Sequence, residues 1–380
     1  MNFTLLPDEM KPTSNDLDNV SIILPTFNER EGIENIIEKL IYLESKYNLE
    51  ILVVDDESPD GTEGIVRNMA KSSTIIRLIP RVGRFGLASA IKEGLLSAKG
   101  DIAVVMDSDG QHDPNSIENA INCLKNSKSD LIIGSRFHID AKIDGLSKRR
   151  QTASQLANIS ARKTLHSSYS HLTDYMSGFF AIRLESTLPV IRSIDVNGFK
   201  FIYELLAISK GRFRTDEIPL KFLSRDYGDS KLDAAILWDF LVSLLHSLTF
   251  RIFPRRAISF GLVGISGIFV QLIINWLLML IAGFGFEKAL PIAVITAASS
   301  NYLINNALTF RQQRLKGKLL IRGLLKFLIV ASLPVIANVG LASAYYNLVD
   351  KNTLLAQLSG IVVVYIWNYA ASSRFVWNTP

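Results

Sequence analysis

The stretch Ile102-Ala103-Val104-Val105-Met106-Asp107-Ser108-Asp109-Gly110-Gln111-His112 changes character halfway along. An unbroken apolar run rich in β-branched residues reads as a strand covered on both faces, and a carboxylate cluster begins where the strand stops. Similar apolar runs occur at 20–24, 51–54, 74–79 and 131–134, and segments of helical period at 33–47, 87–98 and 116–126 lie between them. Strands alternating with amphipathic helices predict an α/β domain whose parallel sheet is covered on both sides, and such sheets bind ligands beyond the carboxyl ends of their strands. Three of the predicted strand ends are polar: Pro25-Thr26-Phe27-Asn28-Glu29, Asp55-Asp56-Glu57-Ser58-Pro59-Asp60-Gly61-Thr62, and the Asp107 cluster itself.

Working outward, residues 1–19 are polar, carry Pro7 and Pro12 and lack an apolar period. They predict a flexible lead-in without a secretory leader, so the α/β domain, set at 20–231, is expected in the cytosol. Beyond residue 256 the composition shifts. The segments 257–286, 289–310, 327–349 and 352–373 contain no charged residue, and each is long enough for the roughly 20-residue helix that crosses a bilayer. An all-α, four-helix transmembrane domain is therefore expected over 257–380. Its central loop carries Arg311, Arg314, Lys316, Lys318 and Arg322, which places that loop and both termini on the cytoplasmic side. Within this domain Arg255 and Arg322, Phe260 and Phe327, Asn301-Tyr302 and Asn368-Tyr369, and Phe310 and Trp377 recur at a spacing of 67 residues, the signature of two tandem hairpins. Whether the repeats pair within one chain or between copies stays open, so a homo-oligomer is among the partners considered. Asn301, Asn305, Asn306, Asn338 and Asn368 fall at membrane depth, where an amide needs a partner; helix-to-helix contacts are favoured over a substrate path. Between the domains, 232–256 carries the apolar stripe Leu237, Phe240, Leu241, Leu244 and Leu248, followed by Arg251, Arg255 and Arg256, which suits a helix lying in the headgroup plane and equally one packed against the α/β domain.

Composition removes several classes of function. The chain of 380 residues has 41 Lys and Arg against 36 Asp and Glu, but beyond residue 256 only Glu287 and Asp350 oppose nine bases. The N-terminal part is thus close to neutral, and no nucleic-acid-binding surface is expected. One cysteine, Cys123, and five scattered histidines exclude a disulfide framework and a Cys/His zinc site; Cys123 reads as a buried helix residue. The segment Arg81-Val82-Gly83-Arg84-Phe85-Gly86-Leu87 lacks the phosphate-loop pattern, and no Gly-x-Gly-x-x-Gly follows a strand, so kinase-like and dehydrogenase chemistry are set aside.

The residues at the strand ends carry their own chemistry. Asp107, Asp109 and Gln111 offer oxygen donors at a spacing of two, suited to one hard cation that keeps positions for phosphate and water, Mg2+ or Mn2+. Asp107 or Asp109 as a general base is the competing reading. Asp55 and Asp56 can accept hydrogen bonds from a base edge or ribose, whereas Asp60-Gly61 can equally form a turn with a helix cap at Thr62. Arg136, ending an apolar run beside Gly134-Ser135, lies on the same sheet edge; Arg149, Arg183, Arg192 and Arg214 read as solvated charges.

These motifs, with Asp174-x-x-Ser177-Gly178-Phe179 and Arg225-x-x-Gly228-x-Ser230-Lys231, closely resemble the polyprenyl-phosphate (dolichyl-phosphate) sugar synthases of glycosyltransferase family 2 over about 20–255, and 257–378 resembles the GtrA-like membrane domain. The resemblance implies a GT-A-like, Rossmann-related catalytic domain and an inverting, metal-dependent transfer of one sugar to polyprenyl phosphate. It implies a nucleotide-sugar site of Pro25, Phe27, Glu29, Asp55, Asp56, Asp107 and Ser108, with Lys200, Arg225 and Lys231 on the diphosphate. The cation falls to Asp107, Asp109 and Gln111, and the acceptor phosphate to Arg136 and Arg150, although Arg149-Arg150-Gln151-Thr152-Ala153-Ser154 departs from the family spacing and leaves the second arginine open. Ser58-Pro59-Asp60-Gly61-Thr62 and Gly198-Phe199-Lys200 look more like users of GDP-mannose than of UDP-glucose, the alternative donor. A second alternative is a transferase fused to a lipid-sugar flippase.

Overall fold

The computed structural model describes residues 17–82, 86–143, 148–194, 200–222, 234–249, 251–332 and 353–378. The chain divides into two compact units, Met1–Phe240 and Leu241–Pro380.

In the first unit the strands are β1 (Asn19–Thr26), β2 (Asn48–Asp55), β3 (Ile76–Pro80), β4 (Ile102–Val105), β5 (Leu131–Ser135), β6 (Lys142–Ile143), β7 (Phe180–Arg183), β8 (Thr215–Pro219) and β9 (Lys221–Phe222). The helices are α1 (Ile33–Ile41), α2 (Thr62–Ser72), α3 (Leu87–Ser97), α4 (Asn115–Asn126), α5 (Lys148–Thr164), α6 (Leu184–Ser193) and α7 (Phe201–Ser209); α8 (Ala234–Leu248) holds the boundary between units. Seven strands form one sheet in the order β3-β2-β1-β4-β7-β5-β8, and β6 pairs with β9 separately.

Period-two alternation divides the sheet's side chains between two cores. Ile22, Leu24, Ile51, Val53, Ile102 and Val104 enter one layer with α1 and α4, while Ile23, Leu52, Val54, Ala103 and Val105 enter the other with α3, α6 and α7. Each fully buried Ile, Leu or Val contributes about 1.5–3 kcal/mol of transfer free energy, so the sheet is the rigid part of the unit.

The expectation of a parallel sheet needs correcting: β7 runs antiparallel between β4 and β5. It is buried on both faces like its neighbours, so Phe180-Ala181-Ile182 has the same apolar look in either direction. Because β7 runs backwards, its incoming loop, which carries Asp174 and Gly178, lies at the sheet edge where β4 and β5 end. Two surface readings also change. Arg183 is no solvated charge, since Nε donates to Ser129 O at 3.1 Å and Nη2 to Leu124 O, closing the end of α4. Cys123 is half-buried rather than buried.

The second unit contains α9 (Arg255–Leu280), α10 (Phe286–Ile304), α11 (318–332) and α12 (Thr353–Ala371). Among the described residues, α9 alone is both long and apolar enough to span a bilayer, with a mean hydropathy of 2.2 over its best window. The residues 333–349 of the third expected span lie outside the described ones.

The 67-residue repeat has a structural counterpart. One π-helical turn covers Asn305–Thr309 and another Ser372–Val376, the same 67 residues apart. Phe260 packs on Tyr369 with ring centroids 5.7 Å apart, and the equivalent Phe327 packs on Tyr302, also at 5.7 Å. The matched residues Phe310 and Trp377 stack on each other at 4.1 Å and 11°. A contact pattern in which each member meets the other's partner, while one matched pair meets itself, is that of a two-fold axis. Two amides have partners: Asn306 Oδ1 accepts from Leu315 N (2.9 Å) and across the repeat from Trp377 Nε1 (3.1 Å), whereas Asn305 Oδ1 accepts from the Thr309 hydroxyl (2.7 Å) within its own π-helical turn rather than from another helix. Asn338 lies outside the described residues.

Candidate active site

The loops that leave β1 and β2 are tied together. Asn28 and Glu57 adopt positive φ of 56° and 59°, and the Asn28 N–H donates to Ser58 Oγ (2.9 Å) while the Glu29 N–H donates to Thr62 Oγ1 (3.1 Å). Asp60 accepts from the Thr62 N–H (3.0 Å) and hydroxyl (2.6 Å) and from the Arg30 N–H (3.1 Å), so Asp60 closes the turn, and the cap of α2 is Gly61 at φ 95° rather than Thr62. Pro25 is buried, and Phe27 and Glu29 are half-buried at the mouth of this junction.

Asp55 and Asp56 are both buried and both engaged. Asp55 Oδ1 accepts from the hydroxyls of Thr26 (3.1 Å) and Ser58 (2.6 Å), and Oδ2 from the Ser58 N–H (2.9 Å). Asp56 Oδ1 accepts from Arg81 Nη1 (2.6 Å) and Oδ2 from the Gly86 N–H (2.8 Å). These carboxylates tie the loops together, and any ligand there would be met by oxygens that already accept protein donors. Arg81, set aside in the sequence with a segment that lacked a known motif, also reaches Glu93 at 2.8 Å.

At the end of β4, Ser108 is buried and donates to Pro25 O (2.8 Å), locking β4 to β1. This leaves Asp107 and Asp109 half-buried on either side of it. Gly178 lies against Asp107 so closely that a Cβ there would overlap the carboxylate, which is why the antiparallel loop needs glycine at that position. His112 Nε2 lies 3.6 Å from Asp107 Oδ2, beneath the ring of Phe179. Burial pushes the Asp107 carboxyl up, but the hydrogen bond and charge of His112, then the charges of Lys200 and Arg136, bring it down to about 2. Asp109 Oδ1 accepts from the Gln111 N–H (3.2 Å), which orients Asp109 beside the Gln111 backbone. Among the described residues no three His, Cys, Asp or Glu side chains cluster as a ready-made metal cage. Two carboxylates and an amide oxygen nonetheless suit Mg2+ or Mn2+, which take few protein ligands and fill their shell with phosphate oxygens and water.

Arg136 leaves the end of β5 and is gripped by Asp174: Nε donates to Oδ2 (2.7 Å), Nη2 to Oδ1 (3.0 Å) and the Arg136 N–H to Oδ2 (3.3 Å). One paired edge of the guanidinium, Nε with Nη2, therefore faces Asp174, and an acceptor phosphate would meet the Nη1 side. Burial works against the Arg136 charge, yet Asp174 outweighs it and holds Arg136 above its usual value. Burial likewise pushes Asp174 up, and Arg136 with the Met176 N–H pulls it below the ordinary carboxylate range.

Lys200 precedes α7 and completes the cluster. Burial lowers the ammonium below its usual value, while Asp107, Asp174 and Asp109 oppose that shift and Arg136 adds to it. Asp107, Asp109, Arg136, Asp174 and Lys200, which come from two strand ends, a loop and a helix start, thus share one electrostatic neighbourhood. Arg150 lies in the first turn of α5, with its side chain outside the described residues, as are Arg225 and Lys231 altogether. The roles of Asp174, Arg81 and His112 were not legible, because each depends on a contact across the fold that leaves no trace in local spacing.

Residues 21–188 match Glycosyl transferase family 2, and residues 259–377 match the GtrA/DPMS transmembrane domain. A dolichol-phosphate mannosyltransferase of Pyrococcus furiosus is 33% identical over 365 residues, covering 95% of this chain and 99% of that one. One from Mycosarcoma maydis is 30% identical over 263 residues, covering 67% of this chain and 84% of that one. In a solved structure, glucosyl-3-phosphoglycerate synthase from Mycobacterium tuberculosis aligns with a TM-score of 0.46 and 21% identity over 60% of this chain and 79% of that one.

Proposed function

The chain belongs to the dolichol-phosphate mannosyltransferases of glycosyl transferase family 2, and on that premise we propose that it moves one mannose from GDP-mannose to polyprenyl phosphate at the cytosolic membrane face. The observation that carries the proposal is the strand-end cluster, where carboxylates and cations that suit a metal-bound diphosphate and a phosphate monoester stand side by side. The protein is a glycosyltransferase with a GtrA/DPMS membrane domain. Four crossings with both termini in the cytoplasm, the 232–256 segment in the headgroup plane, and a nucleotide-sugar site that extends to Arg225 and Lys231 are further parts of this reading.

The chemistry asks little of a base. A lipid phosphate monoester has a second pKa near about 6, so its oxygen is already ionised at neutral pH. That oxygen attacks the anomeric carbon, the bond from that carbon to the diphosphate breaks, the electron pair leaves with GDP, and the configuration inverts. The protein's task is to bring two anions together. Arg136, fixed by Asp174, and an arginine in the first turn of α5 would hold the acceptor, while Lys200 would meet the donor diphosphate. Asp107, Asp109 and Gln111 would hold Mg2+ or Mn2+, which neutralises charge on the departing diphosphate. Asp107, held at about 2, stays ionised for that role across the physiological range.

The test is direct: purified protein in detergent, polyprenyl phosphate, Mg2+ or Mn2+, and either GDP-mannose or UDP-glucose. Glycolipid formed from GDP-mannose alone supports the proposal. Product from UDP-glucose alone would keep the acceptor chemistry and overturn the donor.

A further inference from the structure

Residues 173–175, which carry the Arg136 latch, are held from three directions. From β8, Glu217 Oε1 accepts the N–H groups of Thr173 (2.8 Å) and Asp174 (3.0 Å), and Oε2 accepts the Thr173 hydroxyl (2.8 Å). From β5, the hydroxyl of Ser135 shares a hydrogen bond with that of Thr173 (2.6 Å). From α5 comes Asn158, 6% exposed, whose Oδ1 accepts the Tyr175 N–H at 2.8 Å and whose Nδ2 donates to Asp174 Oδ1 at 3.5 Å. Nothing in the sequence singled out Asn158 or Glu217.

The contact from α5 differs from the other two, because α5 begins at Lys148 and holds Arg149 and Arg150 in its first turn. A helix is stiff, so a constraint at Asn158 fixes the height and rotation of the first turn, eight residues and about 12 Å away along the axis. The other end of the constraint is Asp174, the residue that fixes Arg136. We propose that Asn158 is a positioning residue that sets the spacing between Arg136 and the arginine-bearing turn of α5, and so the fit of the acceptor phosphate between them. This rests on the acceptor reading given above. Asn suits the position because the buried Tyr175 N–H needs an acceptor while Asp174 accepts donors, and an uncharged carboxamide reaches both at once with separate atoms, which a shorter hydroxyl does not.

The experiment uses the full-length protein in detergent with polyprenyl phosphate and the donor that supports transfer, comparing wild type, Asn158→Ser, Arg150→Ala and the double variant. Asn158→Ser should raise the acceptor KM about tenfold and leave the donor KM within about twofold, since geometry is lost only on the acceptor side. On the Arg150→Ala background the same substitution should add nothing further, because both act through one turn. An unchanged acceptor KM, a parallel rise in both KM values, or effects of the two substitutions that multiply would overturn the proposal. Should Asn158→Ser yield no folded protein, Asn158→Thr, which keeps a neutral hydroxyl near the Tyr175 N–H, carries the same expectations. A wild type that transfers nothing to polyprenyl phosphate removes the acceptor reading itself, an outcome distinct from a silent Asn158.

Discussion

Asp174 and Arg136 show how much one pair decides. Asp174 is fully buried and the Arg136 side chain is 16% exposed, so their attraction is little screened, and removing one partner leaves an uncompensated charge. Asp174→Asn should cost about 3 kcal/mol at neutral pH. The pH dependence has a definite sign. Asp174 is held below the ordinary carboxylate value of about 3.9, so the stability it contributes is fully present above that value and lost as pH falls through the lowered one. Thermal unfolding of wild type and Asp174→Asn between pH 7 and pH 3 should therefore give curves that are well separated at pH 5–7 and begin to draw together only below about pH 4, as the pH falls toward the lowered value. A constant separation would mean that the pair contributes no linked stability. Gly178 makes a related point: its missing side chain, next to Asp107, is as much a part of the site as the carboxylate.

Among the elements, strands and helices were easier to read from the residues than strand directions. Apolar runs ending in polar clusters located β1, β2, β4 and β5 and the edge where ligands bind, because burial on both faces writes a recognisable pattern. The same burial hid the reversal of β7, and four-residue Phe180–Arg183 is too short for periodicity to report. The site was legible where chemistry sits in consecutive residues, as in Asp107-Ser108-Asp109. It was illegible where Asp56 depends on Arg81, 25 residues away, or Arg136 on Asp174, 38 residues away. In the membrane unit the repeat spacing coincides with the two π-helical turns, but it did not show that the repeated aromatic residues meet across an axis. That symmetry makes a quantitative prediction: Phe260→Ala and Phe327→Ala, which remove equivalent buried rings, should each destabilise this unit by about 3 kcal/mol. Thermal unfolding in detergent measures both, and one costly variant beside one neutral variant would contradict the two-fold arrangement.

For the molecule as a whole, a lipid acceptor gives the two units a shared purpose: one carries phosphate chemistry on a rigid sheet edge, and the other belongs to a membrane family. The proposed function places the acceptor phosphate at the cluster that ends β4 and β5. The measurement that tests it most directly is the rate of sugar transfer against polyprenyl phosphate concentration, at saturating donor, for wild type and Arg136→Ala. The account predicts saturation in the wild type and at least a roughly tenfold higher acceptor requirement in the variant, with donor affinity kept within about twofold. An Arg136→Ala enzyme with the wild-type acceptor dependence would contradict it.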